Sequence, residues 1–238
     1  MRSHLSLLLA AALMLLSCRA PAPVPPGRVT GRLRVDGALG ERAPLPTTPI
    51  VARVCGATVE DRGIELGAGG LAGALVFVER GEALPPRASP DAVLDQRGCL
   101  YVPRVLGART GELLHVSNSD PLVHTVRGQS AEAPAPVFNV AMPLAGMRIQ
   151  RRLPEVPAII PVRCDVHPWM RAHVRTFAHG YFTTTDGEGR FSLTLPPGRH
   201  TLVFWHPRWP EARQQVEVAA DRDTALEQTF RASAVTAD

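Results

Sequence analysis

The sequence lacks lysine altogether, so all of its basic side chains other than histidine are arginines. The formal net charge is only +4, and acidic residues are scattered among the basic ones along the chain. A nucleic-acid-binding surface needs a concentrated basic patch, and we therefore expect no nucleic-acid partner. The chain also lacks a phosphate-binding glycine loop and an obvious nucleophile–base pair, which argues against an enzyme.

Long hydrophobic runs are scarce, and the clearest one opens the chain as MRSHLSLLLAAALMLLSC. Its apolar part spans roughly a dozen residues, which is too short to cross a membrane and is typical of an export signal. The ending LLSC resembles the lipobox of bacterial lipoproteins, in which Cys18 would be lipidated and would become the first mature residue. An ordinary signal peptide cut a few residues later is the alternative. We expect a location on the periplasmic side of a bacterial membrane, with the outer membrane slightly favoured because Arg19, not aspartate, follows the cysteine.

The chain has only four cysteines, which an exported protein ordinarily joins in disulfides. Lipidation of Cys18 would leave three, so that one thiol remains after one disulfide has formed. Cys55 and Cys99 have no histidine or methionine close by in the sequence, and we expect them to pair with each other. Cys164 is then the leftover thiol, and a metal would explain why it stays reduced. A disulfide from Cys164 to either of the other two is the alternative.

The stretch CDVHPWM places Cys164, His167 and Met170 three positions apart. A copper ion that carries single electrons is typically held by two imidazoles and one thiolate, with a weak axial thioether. The second imidazole can come from His124, which follows the strong turn signal of residues 118–121 and begins a short β run. These four side chains are the candidate ligands of one mononuclear copper site.

Each of these residues also has an interpretation without metal. Met170 could be a core residue at the start of the next strand. His167 could be an ordinary loop histidine, and His124 could lie on the surface after its turn. Met142 and Met147 could compete for the axial position if the loops are laid out differently.

The order and spacing of these residues resemble the cupredoxins, the small blue copper proteins, and among them most of all the amicyanins. The stretch LYVPRVLGARTGELLHVSNSD is similar to their early strands, and the ligand order His124, Cys164, His167, Met170 is theirs. The resemblance covers roughly residues 99–177. It implies a cupredoxin Greek-key β-sandwich and a type 1 copper site with Met170 as the axial ligand.

The resemblance also implies where electrons leave and which side chains support the ligands. The exit edge would be His167 with its neighbours Pro168 and Trp169. Cupredoxins commonly have an asparagine after the first histidine ligand, whereas this sequence has Thr125, whose hydroxyl has less reach than an amide. Thr125 and Asn118 are the expected supporting residues.

Prolines and glycines separate short apolar runs along the chain, which predicts an all-β fold of many short strands. The C-terminal stretch GYFTTTDGEGRFSLTLPPGRHTLVFWHP predicts strands joined by hairpin turns. It resembles the second half of a carboxypeptidase regulatory-like, transthyretin-type β-sandwich. The stretches RVTGRLRV and GGLAGALVFVE resemble that family's opening strands.

We therefore expect the copper domain to be inserted between the two halves of a regulatory-like sandwich, so that residues 28–80 pair with residues 178–232. In the competing layout, LVFVE is the first strand of the copper domain. The expected divisions are a signal peptide at 1–18, a Pro/Ala tether at 19–27, an N-terminal β segment and connection at 28–94, a cupredoxin-like domain at 95–177, and a C-terminal regulatory-like segment at 178–238.

Three functions fit the sequence. The first is electron transfer between periplasmic redox partners, such as a c-type cytochrome or a dehydrogenase, by a lipid-anchored blue copper protein. The second is copper trafficking, for which a methionine-rich tract would be expected and is not seen. The third is a metal-free β module for protein interaction, in which Cys164 would be oxidised.

Overall fold

The computed structural model describes residues 24–79, 84–131 and 134–236. Across these residues the chain is almost entirely β, which confirms the predicted fold class. The predicted signal peptide with Cys18, and residues 19–23 of the tether, lie outside the described residues. Within the described part, every helix is too short or too polar to span a membrane.

Within the described residues, two short helices accompany the strands. One of these, α1, begins with a proline in its first turn and was not expected from the sequence. In chain order the elements are β1 (Gly27–Asp36), β2 (Leu45–Pro46), α1 (Pro49–Cys55), β3 (Thr58–Val59), β4 (Leu66–Gly67), β5 (Gly70–Leu71), β6 (Leu75–Val78), β7 (Ala92–Arg97), β8 (Leu100–Val102), β9 (Val105–Arg109), β10 (Leu113–Asn118), β11 (His124–Gly128), β12 (Phe138–Met142), β13 (Arg148–Arg152), β14 (Ile159–Arg163), β15 (Arg171–Phe177), β16 (Phe182–Thr184), β17 (Arg190–Leu195), β18 (Gly198–His206), β19 (Trp209–Val218), β20 (Asp223–Arg231) and a 3-10 helix (Ala232–Ala234).

Strands β7 to β15 form one β-sandwich, which we call the inner sandwich. One of its sheets has the order β13-β10-β7-β8, and the other has the order β12-β11-β14-β15-β9. Alternate residues of β10, including Leu114 and Val116, point into the core between the sheets, as the period of a half-buried strand requires. The first strand of this sandwich begins at Ala92, three residues before the predicted boundary at residue 95.

The strands before and after the inner sandwich pair with each other and form a second one, the outer sandwich. In one sheet β1 lies between β17 and β20, so that Gly31 is opposite Phe191. In the other sheet the order is β16-β6-β18-β19, so β6, which contains the LVFV of LVFVE, pairs with C-terminal strands. The inner sandwich is thus formed by the chain between the two halves of the outer one.

The hairpins predicted in the C-terminal stretch are wrong. Strand β16 pairs with β6 while β17 pairs with β1, so the turn at residues 186–189 crosses from one sheet to the other. The turn at residues 196–198 crosses back, because β18 pairs with β6 and β19. Turn residues indicate a chain reversal, and the two strands that follow each other need not be hydrogen-bonded neighbours.

The two sandwiches pack against each other through a second apolar layer. All four residues of β6 are buried because this strand has apolar neighbours on both faces. Val76 and Val78 belong to the core of the outer sandwich. Leu75 and Phe77 instead pack with Phe177 of the inner sandwich. The continuous apolar run of β6 is therefore explained by its position between two cores.

One arginine crosses this interface and ties the sandwiches together. Arg175 of β15 lies over the rings of Phe77 and Trp205, with its guanidinium carbon 4.4 and 5.1 Å from the ring centroids. Its Nη1 also lies 2.8 Å from a carboxylate oxygen of Glu211 on β19. Arg175 thereby links the inner sandwich to strands of the outer one.

Candidate metal centre

Strand pairing brings the candidate ligands to the same end of the inner sandwich. Strands β11 and β14 are antiparallel neighbours, with Arg127 opposite Arg163. The first residue of β11, His124, therefore lies beside the end of β14, where Cys164 follows. The loop from Cys164 ends at Met170, directly before β15, and carries His167 in its middle.

The ligand atoms of three residues converge on one buried point. The Nδ1 atoms of His124 and His167 lie 2.9 Å apart, and Cys164 Sγ lies 3.6 Å from Nδ1 of His167. His124, Cys164 and His167 offer one nitrogen or sulfur atom each, and these atoms all lie within 4.8 Å of one another. The three residues are 0%, 3% and 4% exposed, so the point where they meet is shielded from bulk water.

The loop between Cys164 and Met170 is closed by its own main chain. The N–H of Met170 donates to the carbonyl of His167 at 2.9 Å, and the N–H of Cys164 donates to the carbonyl of Met170 at 3.2 Å. Met170 is fully buried in the core cluster that also contains Cys164. Met142 is fully buried as well, but its sulfur accepts a hydrogen bond from Gln96 Nε2 at 3.0 Å. Met170 stays the predicted fourth ligand, since the sulfur of Met142 already has a partner and Met147 is only partly buried.

Thr125 connects the two ligand loops despite its short side chain. Its N–H donates to Cys164 Sγ at 3.3 Å, and its hydroxyl lies 3.7 Å from the same sulfur. The hydroxyl oxygen also accepts a hydrogen bond from the N–H of Asp165 at 2.7 Å. On the other side, the hydroxyl of Tyr101 donates to the carbonyl of Thr125 at 2.5 Å. The loops that carry His124 and Cys164 lie close enough for the short side chain of Thr125 to connect them, so the longer side chain of an asparagine is not needed.

Asn118 organises the turn that precedes His124. Its side-chain amide donates to the carbonyls of Leu122 and Met142 at 2.8 and 2.9 Å. Its side-chain oxygen accepts a hydrogen bond from the N–H of Asp120 at 3.0 Å. Asn118 is fully buried, so these bonds stabilise the turn.

Asp120 is the functional residue that sequence reasoning missed. One of its carboxylate oxygens lies 3.0 Å from Nε2 of His124, and its two oxygens accept hydrogen bonds from the N–H groups of Gly98 and Cys99 at 2.7 and 2.8 Å. A carboxylate at Nε2 holds the proton there, which leaves the Nδ1 lone pair of His124 free to bind a metal. The only signal in the sequence was the turn, where Asp120 was interpreted as a turn-forming residue.

The pKa shifts of Cys164 and His167 favour metal binding, whereas that of His124 opposes it, because a protonated imidazole cannot ligate a metal. Burial raises the pKa of Cys164, but hydrogen bonds with His124 and with the main chain of Thr125 outweigh it, so the pKa lies below its usual value. Burial lowers the pKa of His124, and its hydrogen bonds to Cys164 and Asp120 more than offset this and raise it. Burial and the neighbouring charge of His124 lower the pKa of His167, which favours a neutral ring. The sulfur is thus held towards its thiolate form, which is the form that ligates metals.

A single copper ion fits this set of donors. Two imidazoles and one thiolate, together with a weak thioether ligand, are typical of electron-transfer copper sites. Imidazole nitrogens bind metals at about 2 Å, so two nitrogens 2.9 Å apart are close enough to share one ion. His124, Cys164 and His167 would therefore hold one metal ion together.

The disulfide lies between Cys55 and Cys99, with their Cα atoms 5.8 Å apart. Cys164 is a free, buried cysteine, so neither alternative pairing of this residue is formed. Its sulfur is consequently available to a metal. Cys18, the candidate lipidation site, lies outside the described residues.

The predicted exit edge is only partly exposed. His167 is 4% exposed, while Pro168 beside it is exposed and Trp169 is half-buried. The rings of His167 and Trp169 lie 5.2 Å apart at an angle of 37°. Val166, on the other side of His167, is 49% exposed. His167 is thus covered by a thin, largely apolar rim of its own loop.

Comparison with known proteins finds cupredoxins among the solved structures that the chain resembles. A purple cupredoxin from Nitrosopumilus maritimus is 21% identical, with 37% of this chain and all of that chain covered and a TM-score of 0.31. Amicyanin from Paracoccus versutus is 14% identical, with 43% and 97% covered and a TM-score of 0.33. A copper-containing nitrite reductase, NirK from Thermus scotoductus, is 22% identical, with 42% and 25% covered and a TM-score of 0.33.

No protein-family model and no curated protein matches the chain. What the site can bind is therefore judged from its own donor atoms and the distances between them.

Proposed function

We propose that this protein is an exported type 1 copper protein that carries single electrons between periplasmic redox partners. One observation carries the proposal: the nitrogens of His124 and His167 and the sulfur of Cys164 converge on one buried point. Met170 is the proposed axial ligand. Bound copper would supply one-electron chemistry by alternating between Cu(II) and Cu(I), and the chain would supply a fixed geometry for both states.

Rigidity of the ligands favours electron transfer over copper delivery. Cys164 is held by the N–H of Thr125, His124 is held by Asp120, and the loop to Met170 is closed by main-chain hydrogen bonds. Such constraints keep the donor atoms in place when the charge of the ion changes, so little rearrangement opposes electron transfer. A delivery protein must instead open its site to the recipient, and all three donors here are at most 4% exposed.

The proposed docking surface surrounds His167. Its rim consists of the apolar residues Val166, Pro168 and Trp169, and Arg104 and Arg171 lie beside Pro168 and Trp169. A small apolar patch suits brief contact with a partner, because tight binding would slow release. A periplasmic c-type cytochrome or dehydrogenase is the proposed partner, and the lipid at Cys18 is the proposed membrane anchor.

We propose no enzymatic role for the centre. The donors of His124, Cys164 and His167, with Met170 as the fourth, would fill the coordination sphere and leave no position for a substrate. The outer sandwich then serves as the support on which the inner sandwich is mounted.

The experiment that tests the function separates carrying electrons from carrying copper. The full-length chain, expressed for export and loaded with copper, is reduced by ascorbate, freed of ascorbate and reoxidised by ferricytochrome c, in repeated cycles with a Cu(I) chelator present. An electron carrier retains its copper through the cycles and reduces one cytochrome per copper in each cycle. Transfer of the copper to the chelator at the first reduction, without electron delivery, would instead identify a copper-trafficking protein.

A further inference from the structure

We propose that the Cys55–Cys99 disulfide positions both histidines of the metal centre, acting through the turn that contains Cys99. Cys99 is thus a positioning residue for the site and not merely one end of a structural cross-link. This inference rests on the proposed copper function, since its effect is on the geometry of the copper ligands.

The turn has an unusual backbone. Gly98 and Cys99 are the two residues between β7 and β8, and both have positive φ, at +63° and +61°. Positive φ at both central residues is the pattern of a type I′ hairpin turn, where glycine and asparagine are favoured. A side chain in this region costs about 1 kcal/mol or more relative to glycine. Something else in the structure must therefore hold Cys99 in place.

The conformation of the turn matters because it directs two N–H groups at Asp120. The N–H of Gly98 donates to Oδ1 of Asp120 at 2.7 Å, and the N–H of Cys99 donates to Oδ2 at 2.8 Å. Successive N–H groups in a turn form a concave binding site for an anion, here the carboxylate. The same Oδ2 lies 3.0 Å from Nε2 of His124. The turn thus positions the carboxylate of Asp120, and this carboxylate positions the ring of His124.

The carbonyl of Cys99 supports the second histidine. Nε1 of Trp169 donates a hydrogen bond to this carbonyl at 3.1 Å. The ring of Trp169 in turn packs beside the ring of His167, with their centroids 5.2 Å apart. The N–H of Cys99 therefore supports one ligand through Asp120, and its C=O supports the other through Trp169. Both supports meet at a single peptide segment.

The disulfide fixes this segment to an element outside the inner sandwich. Cys55 is the last residue of α1, which belongs to the N-terminal part of the chain. Cys99 is fully buried, and its bond to Cys55 opposes the relaxation of its φ towards negative values. Without the bond, the turn can relax, and both the N–H and the C=O of Cys99 then move away from their partners.

The test uses two double variants of the full-length chain that differ only at position 99. The pair Cys55→Ala/Cys99→Ala removes the disulfide and keeps a side chain at the positive-φ position. The pair Cys55→Ala/Cys99→Gly removes the disulfide but places there a residue that adopts positive φ without cost. Both avoid a stray thiol that could pair with Cys164. Val216→Ala, in the core of the outer sandwich, is the control for general destabilisation.

Copper affinity by competition titration, and the electron paramagnetic resonance hyperfine splitting, are measured well below the unfolding temperature. We expect the alanine pair to bind copper about 10-fold to 100-fold more weakly, with an altered splitting, as is usual when a residue supporting a ligand is lost. The glycine pair should recover most of the affinity, and Val216→Ala should match the unmodified chain.

Native affinity and splitting in the alanine pair would overturn the inference, as would equal weakening in the glycine pair or in Val216→Ala. A separate result would refute the copper function instead. If the unmodified chain itself shows no thiolate-to-copper absorption, the proposed function fails before the variants are compared.

Discussion

Replacement of Asp120 by asparagine is expected to weaken both the fold and the metal site. The carboxylate receives N–H groups from Gly98 and Cys99 and faces Nε2 of His124, and it is only 6% exposed. An amide of the same size has one acceptor oxygen and one NH2 group, so at least one of these donors would face another donor. A hydrogen bond to a charged group contributes about 1.5–3 kcal/mol, and we expect the free energy of unfolding to fall by about that amount.

The same change should reduce copper affinity by about 10-fold to 100-fold, because His124 loses the group that orients its ring. Urea denaturation of the metal-free chain gives the first quantity, and competition with a chelator gives the second. Asp223→Asn is the matched control, since that carboxylate is paired with Arg28 on the surface and its side chain is 62% exposed. An Asp120→Asn variant with the stability and affinity of this control would refute the reasoning.

Three further substitutions test individual contacts. Thr125→Val removes a hydroxyl that lies 3.7 Å from the sulfur of Cys164. Because hydrogen bonds to that sulfur favour Cu(I), voltammetry should show a reduction potential lower by about 40 mV, which corresponds to about 1 kcal/mol. An unchanged or higher potential would contradict this. Gly107→Val places a Cβ 2.8 Å from the ring of Phe182 at the interface between the sandwiches. Thermal denaturation should show that the free energy of unfolding falls by about 1–3 kcal/mol. An unchanged free energy of unfolding would show that the interface is loosely packed. Arg175→Gln and Glu211→Gln, combined in a double-mutant cycle, should show a coupling of about 1 kcal/mol across the interface; additive effects would mean that the ion pair contributes nothing.

The sequence was more informative about the candidate ligands than about what supports them. His124, Cys164, His167 and Met170 stand at recognisable positions beside turns and strand ends, because a metal site needs particular side chains at particular spacings. Asp120 was missed because its role depends on Gly98 and Cys99, which lie more than twenty positions away and approach it only when β7 and β8 have formed their turn. A contact of this kind leaves no periodic signal in one sequence.

The fold shows the same division between local and long-range information. Alternation and turn residues predicted strands in the C-terminal stretch, and β16, β17 and β18 are there. Their partners were not predicted correctly, since a turn can join strands of one sheet or of two facing sheets. The run Leu75–Val78 was ambiguous for a different reason. A strand buried on both faces has no alternation of apolar and polar residues, so its sequence does not indicate which sheet it joins.

The most direct test of the central claim is the visible absorption and electron paramagnetic resonance spectrum of the Cu(II)-loaded full-length chain. It is recorded beside Cys164→Ala and beside His115→Ala, a histidine that lies on β10 outside the cluster of three donors. We expect an intense thiolate-to-copper band with compressed hyperfine splitting, lost in Cys164→Ala and kept in His115→Ala. A colourless native protein, or a band that survives the loss of Cys164, would contradict it.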